Sequence, residues 1–304
     1  MTRRLIVTGV DGFVGRHLAR LGADAGFEVF GVSRTKSPDR SLGANLSGYA
    51  SADLRERWPA DAPSDAVVVH LAGLAAVGAS FDRPQDYLAG NSAMITTMCE
   101  ARLAQRATGR VVGVSTGAVY ANDGQRVATS ENDDVAFSSP YVVSKVLVEN
   151  QFAYYRARGL NSVIARPFNH IGPGQGPGFL VPDLLRQLRD LGSGQPLHVG
   201  NLSTARDYTD VRDVARAYLA LAAADHLPHT LYNVASGVAR TGRELLSKLC
   251  DAVGIPVPPL EVDASRIRAA DPARIVGDAT RLRDDLGWAP RIPFSQTIAD
   301  TIDD

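Results

Sequence analysis

Tyr141 and Lys145 are the residues of this 304-residue chain whose types and spacing most directly suggest chemistry. Four positions apart, on a helix they lie one turn apart on the same face. Pro140 suits the first helical position, and Ser138 or Ser139 can supply the N-cap oxygen. A phenol with an ordinary pKa of about 10 is a poor base at neutral pH. A fixed ammonium beside it favours the phenolate and would bring that pKa toward the working range. Tyr-x-x-x-Lys also describes many ordinary helix faces, so its meaning depends on what surrounds it.

What surrounds it is a second constellation near the start of the chain. Leu5-Ile6-Val7 is a short apolar run, as expected of a buried parallel strand, and Thr8-Gly9-Val10-Asp11-Gly12-Phe13-Val14-Gly15 follows, opening an amphipathic stretch to about Asp24. Strand, glycine turn and helix form the context of a phosphate-binding turn. Gly9 allows the tight turn, Gly12 lets backbone approach a pyrophosphate, Gly15 permits close helix–strand packing, and Phe13 and Val14 open the helix whose N-terminus faces the phosphates. Phe27 to Val32 reads as the next strand, whose end meets the adenosine ribose in this architecture. No acid stands between Gly31 and Lys36, where an NAD site places one; Ser33-Arg34 stands there instead. A guanidinium suits a 2′-phosphate, so the sequence favours NADP(H) over NAD(H), the alternative being a solvated loop arginine and an enzyme that takes either.

Further along, residues 35–50 read as a loop, and Asp53-Leu54 offers either an acceptor for an adenine amino group or a surface aspartate. Ala66 to Leu71 reads as a strand ending in Ala72-Gly73, small residues against which a cofactor could lie. Asn91 to Ala104 reads as a helix, with Met94 and Met98 as core or subunit-interface packing. Val111 to Val114 is a strand that delivers Ser115-Thr116 at its carboxyl end, where ligands of open α/β sheets bind. Hydroxyls there could equally bond their own backbone. With Tyr141 and Lys145 on the next helix, they make an oxidoreductase centre.

After the strand Val163-Ile164-Ala165, the stretch from Arg166 to Gly178 is too rich in Gly and Pro for a helix or strand interior and reads as a crossing to a smaller domain. Pro182 to Asp190 and Thr241 to Val253 read as helices and Tyr232 to Val234 as a strand. The fold class expected is α/β: a Rossmann-like, doubly wound parallel sheet with a smaller, discontinuous α+β substrate-binding domain. The expected division is 1–166 plus about 205–236 for the dinucleotide, and about 167–204 plus 237–304 for the substrate.

Composition sets the outer limits. Lys and Arg number 32 against 33 acidic residues, a net charge of -1, which argues against a nucleic-acid or membrane-surface protein. Cys99 and Cys250 stand alone, without metal-type spacing, and read as buried thiols of a reducing cytoplasm. His226 and His229 flank Pro228 in a loop without acidic or thiol partners, so no metal site is expected. The N-terminal apolar run is cut short by Gly9, Asp11 and Gly12 and is neither a signal peptide nor a membrane span.

The glycine turn, Ser115-Thr116 and Tyr141-x-x-x-Lys145 together resemble the extended short-chain dehydrogenase/reductase family acting on nucleotide sugars, nearly end to end. The stretches Phe168 to Gln175 and Gly200 to Asp213, and the tail around Arg268, Asp271, Gly277-Asp278 and Leu286-Gly287-Trp288, resemble its GDP-mannose dehydratase and GDP-4-keto-6-deoxy-mannose reductase group. The resemblance implies that Tyr141 exchanges a proton with the sugar oxygen, Thr116 orients that oxygen, and Lys145 holds the nicotinamide ribose and depresses the Tyr141 pKa. It also implies a cofactor bed including Leu71, Ala72 and Gly73. Ser80, Thr116, Asn169, Arg206, Arg268 and Asp271 become the residues for a GDP-linked sugar. A homodimer through the Asn91–Ala104 and Tyr141–Arg156 helices comes with it.

A dehydratase of this family carries an acid, commonly Glu, two positions after the threonine. Here Gly117-Ala118 follow Thr116, and neither transfers protons, which disfavours dehydration. Reductase members also commonly carry Glu nearby, so the departure leaves the C4 configuration of the product open, rhamnose or talose. A 4-epimerase with tightly held NAD is the alternative. Less favoured is a non-catalytic cofactor-sensing protein.

Overall fold

The computed structural model describes residues 3–121, 127–192, 194–267 and 272–303. The apolar run near the start is the middle of β1 (Arg4–Thr8), which pairs in parallel with β2 (Glu28–Ser33) on one side. Between them α1 (Phe13–Asp24) returns across the sheet. The stretch 35–50 is not simply a loop. It holds a short helix, α2 (Arg40–Gly43), capped by Asp39, and β3 (Gly48–Ser51), which pairs along Phe30 to Ser33 at the sheet edge. Only the pairing with β2 makes so short a Gly- and Ser-containing segment extended, and local propensity does not report that.

β4 (Val67–His70) lies on the other side of β1, followed by α3 (Val77–Asp82) and α4 (Pro84–Ala104). The latter begins a full two turns before the Asn91 expected from the sequence, with Pro84 in its first turn. β5 (Val111–Val114), α5 (Pro140–Ala157) and β6 (Ser162–Pro167) complete the run. With a last strand, β10 (Leu231–Val234), supplied by the chain's later part, the sheet has seven parallel strands in the order β3-β2-β1-β4-β5-β6-β10. Its order reverses between β1 and β4, the switch point at which α/β sheets open a crevice for ligands. Leu18, Val112 and Tyr218 belong to the core on one face; Met94, Met98, Cys99, Val148 and Phe152 belong to that on the other.

Beyond β6 the chain enters a smaller layer. β7 (Asn169–Ile171), α6 (Leu180–Asp190), β8 (Leu197–Val199) and β9 (Ala205–Asp210) come first. The chain then returns to the large sheet through α7 (Val211–Ala223) and β10 (Leu231–Val234). It leaves again through β11 (Ala239–Thr241), α8 (Gly242–Val253), β12 (Leu260–Val262), β13 (Arg274–Ile275), α9 (Thr280–Leu286) and α10 (Phe294–Asp303). β9 pairs with β7, β11 and β13, so residues 205–210 join the smaller sheet, although the expected division placed 205–236 with the larger. α6 and α8 share a separate apolar core built on Leu184, Leu188, Leu245 and Leu249. Thr241 and Glu244 close a reciprocal capping box at the start of α8.

One close approach sets the position of α5. A Cβ on Gly113 of β5 would lie 2.3 Å from the Phe152 ring, which is fully buried on α5. Gly113→Ala should therefore push α5 outward and cost about 1–3 kcal/mol in urea unfolding, with a parallel loss of turnover. An unchanged unfolding midpoint would contradict this account of the packing.

Candidate active site

Pro140 opens α5, and the Ser139 side chain accepts a hydrogen bond from Val142 N at 3.2 Å, so the helix starts where Tyr141 must face inward. β5 ends at Val114, and Thr116 caps a short 3-10 turn over Gly117–Val119, its Oγ1 accepting from Ala118 N at 3.2 Å. The Thr116 hydroxyl lies near enough to the Tyr141 phenol to favour its ionised form. Lys145, one turn on, donates from Nζ to the Val114 carbonyl at 2.9 Å and lies 6.0 Å from the centre of the Tyr141 ring. The three predicted residues therefore meet at the carboxyl ends of the strands.

Their electrostatics differ from the expectation. Burial pushes the Tyr141 phenol up to about 12, with the Thr116 hydroxyl opposing it, and burial brings the Lys145 ammonium down to about 8. The ammonium was expected to depress the phenol. Instead its short bond goes to the Val114 carbonyl, and desolvation dominates both groups.

Several neighbours lacked a sequence signal because they act through packing. Tyr87 of α4 meets Tyr141 edge-on at 6.4 Å and donates to Ala76 O. Asn91 Nδ2 donates to Ser144 Oγ, and Ser144 donates to Tyr141 O, so α4 braces the first turn of α5. At the end of β4, Thr8 Oγ1 accepts from Leu71 N and Ala72 N, which leaves its proton for His70 Nδ1 at 2.9 Å. Burial and the nearby Lys145 charge bring His70 down to about 3, so the imidazole stays neutral.

The glycine turn has the shape the sequence implied. Gly9 takes φ +66°, and a Cβ there would lie 2.9 Å from Ala72 N; one on Gly15 would lie 2.3 Å from Gly9 O. Gly12 is the N-cap of α1 and brings no capping side chain, which leaves the helix N-terminus to an anion. A Cβ on Gly73 would lie 3.8 Å from Lys145 Nζ and 3.3 Å from Asn91 Oδ1, so the Gly73 backbone and Lys145 border one space. A dinucleotide spanning from Gly12 to Lys145 fits these residues. Phe13 also stacks on His170 at 6.0 Å, bringing the start of α1 against the Gly/Pro crossing.

The remaining predicted residues are less uniform. Ser33 is buried and Arg34 exposed at the end of β2. Leu54 is buried, while Asp53 is held by Arg55, whose hydrogen bond is the main reason its carboxyl falls to about 2. Ser80 Oγ turns into its own helix, donating to Val77 O at 2.6 Å. Asn169 is exposed on β7 opposite Tyr208 of β9, and Arg206 lies two residues before Tyr208, so strand register puts Asn169 and Arg206 on one face. Arg206 Nη1 donates to Ala205 O and Pro272 O. Arg268 and Asp271 lie outside the described residues. Among the described residues, no group of three or more His, Cys, Asp or Glu could hold a metal, and no helix is long and apolar enough to cross a membrane.

Known proteins resemble this chain over nearly its whole length. The model of the NAD dependent epimerase/dehydratase family matches residues 5–235. A GDP-6-deoxy-D-mannose reductase of Pseudomonas aeruginosa is 32% identical, covering 100% of this chain and 97% of its own. A UDP-glucose 4-epimerase of Azospirillum brasilense is 31% identical, covering 95% of this chain and 87% of its own. Among solved structures, RMD from Pseudomonas aeruginosa complexed with NADPH superposes with a TM-score of 0.83 at 31% identity, covering 99% of this chain and 98% of that one.

Two outcomes test the site. Tyr141→Phe should abolish turnover yet still bind nucleotide cofactor; near-wild-type turnover would remove Tyr141 from the chemistry. The lowered Lys145 pKa gives a pH signature. Between about 8 and its ordinary 10.5, the unfolded chain keeps a proton that the folded protein has released, so stability rises with pH. Urea unfolding of the cofactor-free protein should show wild type gaining on Lys145→Met across that window; a constant difference would refute the burial of the ammonium.

Proposed function

The chain belongs to the NAD dependent epimerase/dehydratase family, acts on a nucleotide sugar with a nicotinamide cofactor, and we propose that it is a reductase of a nucleotide-linked 4-keto-6-deoxy sugar. GDP-4-keto-6-deoxy-D-mannose is the substrate best supported, giving GDP-D-rhamnose or its talose epimer. The reduced nicotinamide supplies the hydride when bound. Tyr141 gives its proton to the C4 oxygen, Thr116 fixes the direction of that oxygen, and Lys145 holds the cofactor ribose. A phenol kept protonated by burial is suited to an acid's role. On the substrate side, Asn169 and Arg206 would face the diphosphate, with Arg268 and Asp271 assigned only by resemblance.

The observation that carries reduction over dehydration is the surface beside Thr116. A Cβ on Gly117 would lie 2.8 Å from the Phe168 ring, so an acid at that position is sterically excluded, and Ala118 presents only a methyl. The carboxylates around this cluster are committed elsewhere. Glu149 pairs with Arg166; Glu131 accepts from Asn233 N and faces Arg281; Asp207 accepts from Ser236, Gly237 and Gly277. None of these three carboxylates is left free to serve as the base that dehydration requires.

Arg34 supports NADPH as the hydride source, as does the NADPH-bound RMD structure. A cytoplasmic location and a homodimer through α4 and α5 belong to the same proposal; Leu147 and Tyr154 are exposed on α5. Epimerisation is the second reading, supported by the 31% identical epimerase.

Incubation with GDP-4-keto-6-deoxy-D-mannose and NADPH or NADH should consume reduced cofactor in proportion to sugar. No consumption with either, together with cofactor retained through purification, would favour the epimerase.

A further inference from the structure

The acid missing from the end of β2 has a substitute. Asp11, within the glycine turn, accepts a hydrogen bond from Ser33 Oγ at 2.8 Å, so its carboxylate stands at the tip of the strand where an NAD site has its own. Ser33 is 6% exposed and further tied to Thr35 Oγ1 at 2.8 Å and Tyr49 OH at 3.0 Å, while Tyr49 OH donates to Thr35 O. The hydroxyl that holds Asp11 is itself fixed. Arg16 does not neutralise the carboxylate: its Nε donates to the Asp11 main-chain carbonyl and its Nη1 pairs with Asp39 at 2.5 Å. Asp53, the other nearby acid, is engaged by Arg55. Two opposite charges thus belong to this end of the sheet: Arg34, exposed just after β2, and the Asp11 carboxylate from the turn.

The geometry points to Asp11 as a specificity-determining residue that reads the adenosine ribose of the cofactor. Its carboxylate accepts a hydrogen bond from a ribose 2′-hydroxyl and repels a 2′-phosphate, whose charge of about -1.5 to -2 at neutral pH is of the same sign. Arg34 acts in the opposite sense. The chain therefore takes NADH as well as NADPH, and the ratio between them is set by these two side chains rather than by Arg34 alone. This rests on the cofactor part of the proposed function and not on the sugar.

Binding alone tests it. NADH and NADPH are titrated into cofactor-free wild type, Asp11→Asn and Arg34→Ala, following nicotinamide fluorescence, with no sugar present. Circular dichroism checks that each variant is folded. Asn keeps an acceptor for Ser33 and loses only the charge. A charge-assisted hydrogen bond gained or lost is worth about tenfold in affinity. Wild type should bind the two cofactors within about tenfold of each other, and Asp11→Asn should shift the ratio toward NADPH by about tenfold. Arg34→Ala should shift it toward NADH. If Asp11→Asn leaves the ratio unchanged, or weakens or abolishes both cofactors alike, Asp11 only holds the turn and the assignment fails. Because no turnover is read, these outcomes stand whether or not the protein reduces a 4-keto sugar.

Discussion

One half-buried cation, the Lys145 ammonium held against the Val114 carbonyl, constrains the structure around it. A charge beneath the surface is tolerated only with a good acceptor, and this one is the last carbonyl of β5. Meeting it requires α5 to lie close on β5, which Gly113 permits by admitting the Phe152 ring. Gly73 borders the same space, a Cβ there coming within ordinary contact distance of Nζ at 3.8 Å. The same helix position turns Tyr141 inward beside Thr116, so fixing the cation also places the phenol proposed as the acid. Burial then keeps the phenol protonated, the state a reductase needs when the substrate oxygen requires a proton.

The second constraint is the meeting of two sheets. The large sheet ends with Gly12, Gly73, Thr116 and Tyr141 on one rim, and β9 gathers β7, β11 and β13 into a smaller sheet that carries Asn169 and Arg206. Phe13 against His170 and His17 Nε2 on Pro173 O join α1 to the crossing between them. The end of the proposed cofactor site and the start of the proposed substrate site are therefore mechanically close. Phe168, packed on Gly117 and Gly277, leaves no room for a side chain at position 117.

Much of this was legible in the sequence, for physical reasons. Buried parallel strands leave apolar runs, tight turns leave glycines, and a helix start leaves Ser139-Pro140, so β1, the glycine turn and α5 could be located from residue types. β3 was not legible, because its extended form comes from pairing with β2. The early start of α4 at Pro84 was missed because proline there reads equally as a break. The Tyr141 pKa was misjudged, since spacing reports the nearness of Lys145 but not the loss of water around both groups. Asp11 lay in plain view within the glycine motif, yet only the folded chain brings it to Ser33. Residues such as Asn91, Ser144 and Phe168 act through contacts distant in sequence and leave no local mark.

The most direct test of the account is to follow deuterium from reduced nicotinamide labelled at its transferable position into the nucleotide sugar. Reduction of GDP-4-keto-6-deoxy-D-mannose predicts one cofactor oxidised per sugar and the label at C4. Label at C6, or turnover with no net oxidation of cofactor, would contradict it, because the chemistry would then be that of a dehydratase or an epimerase.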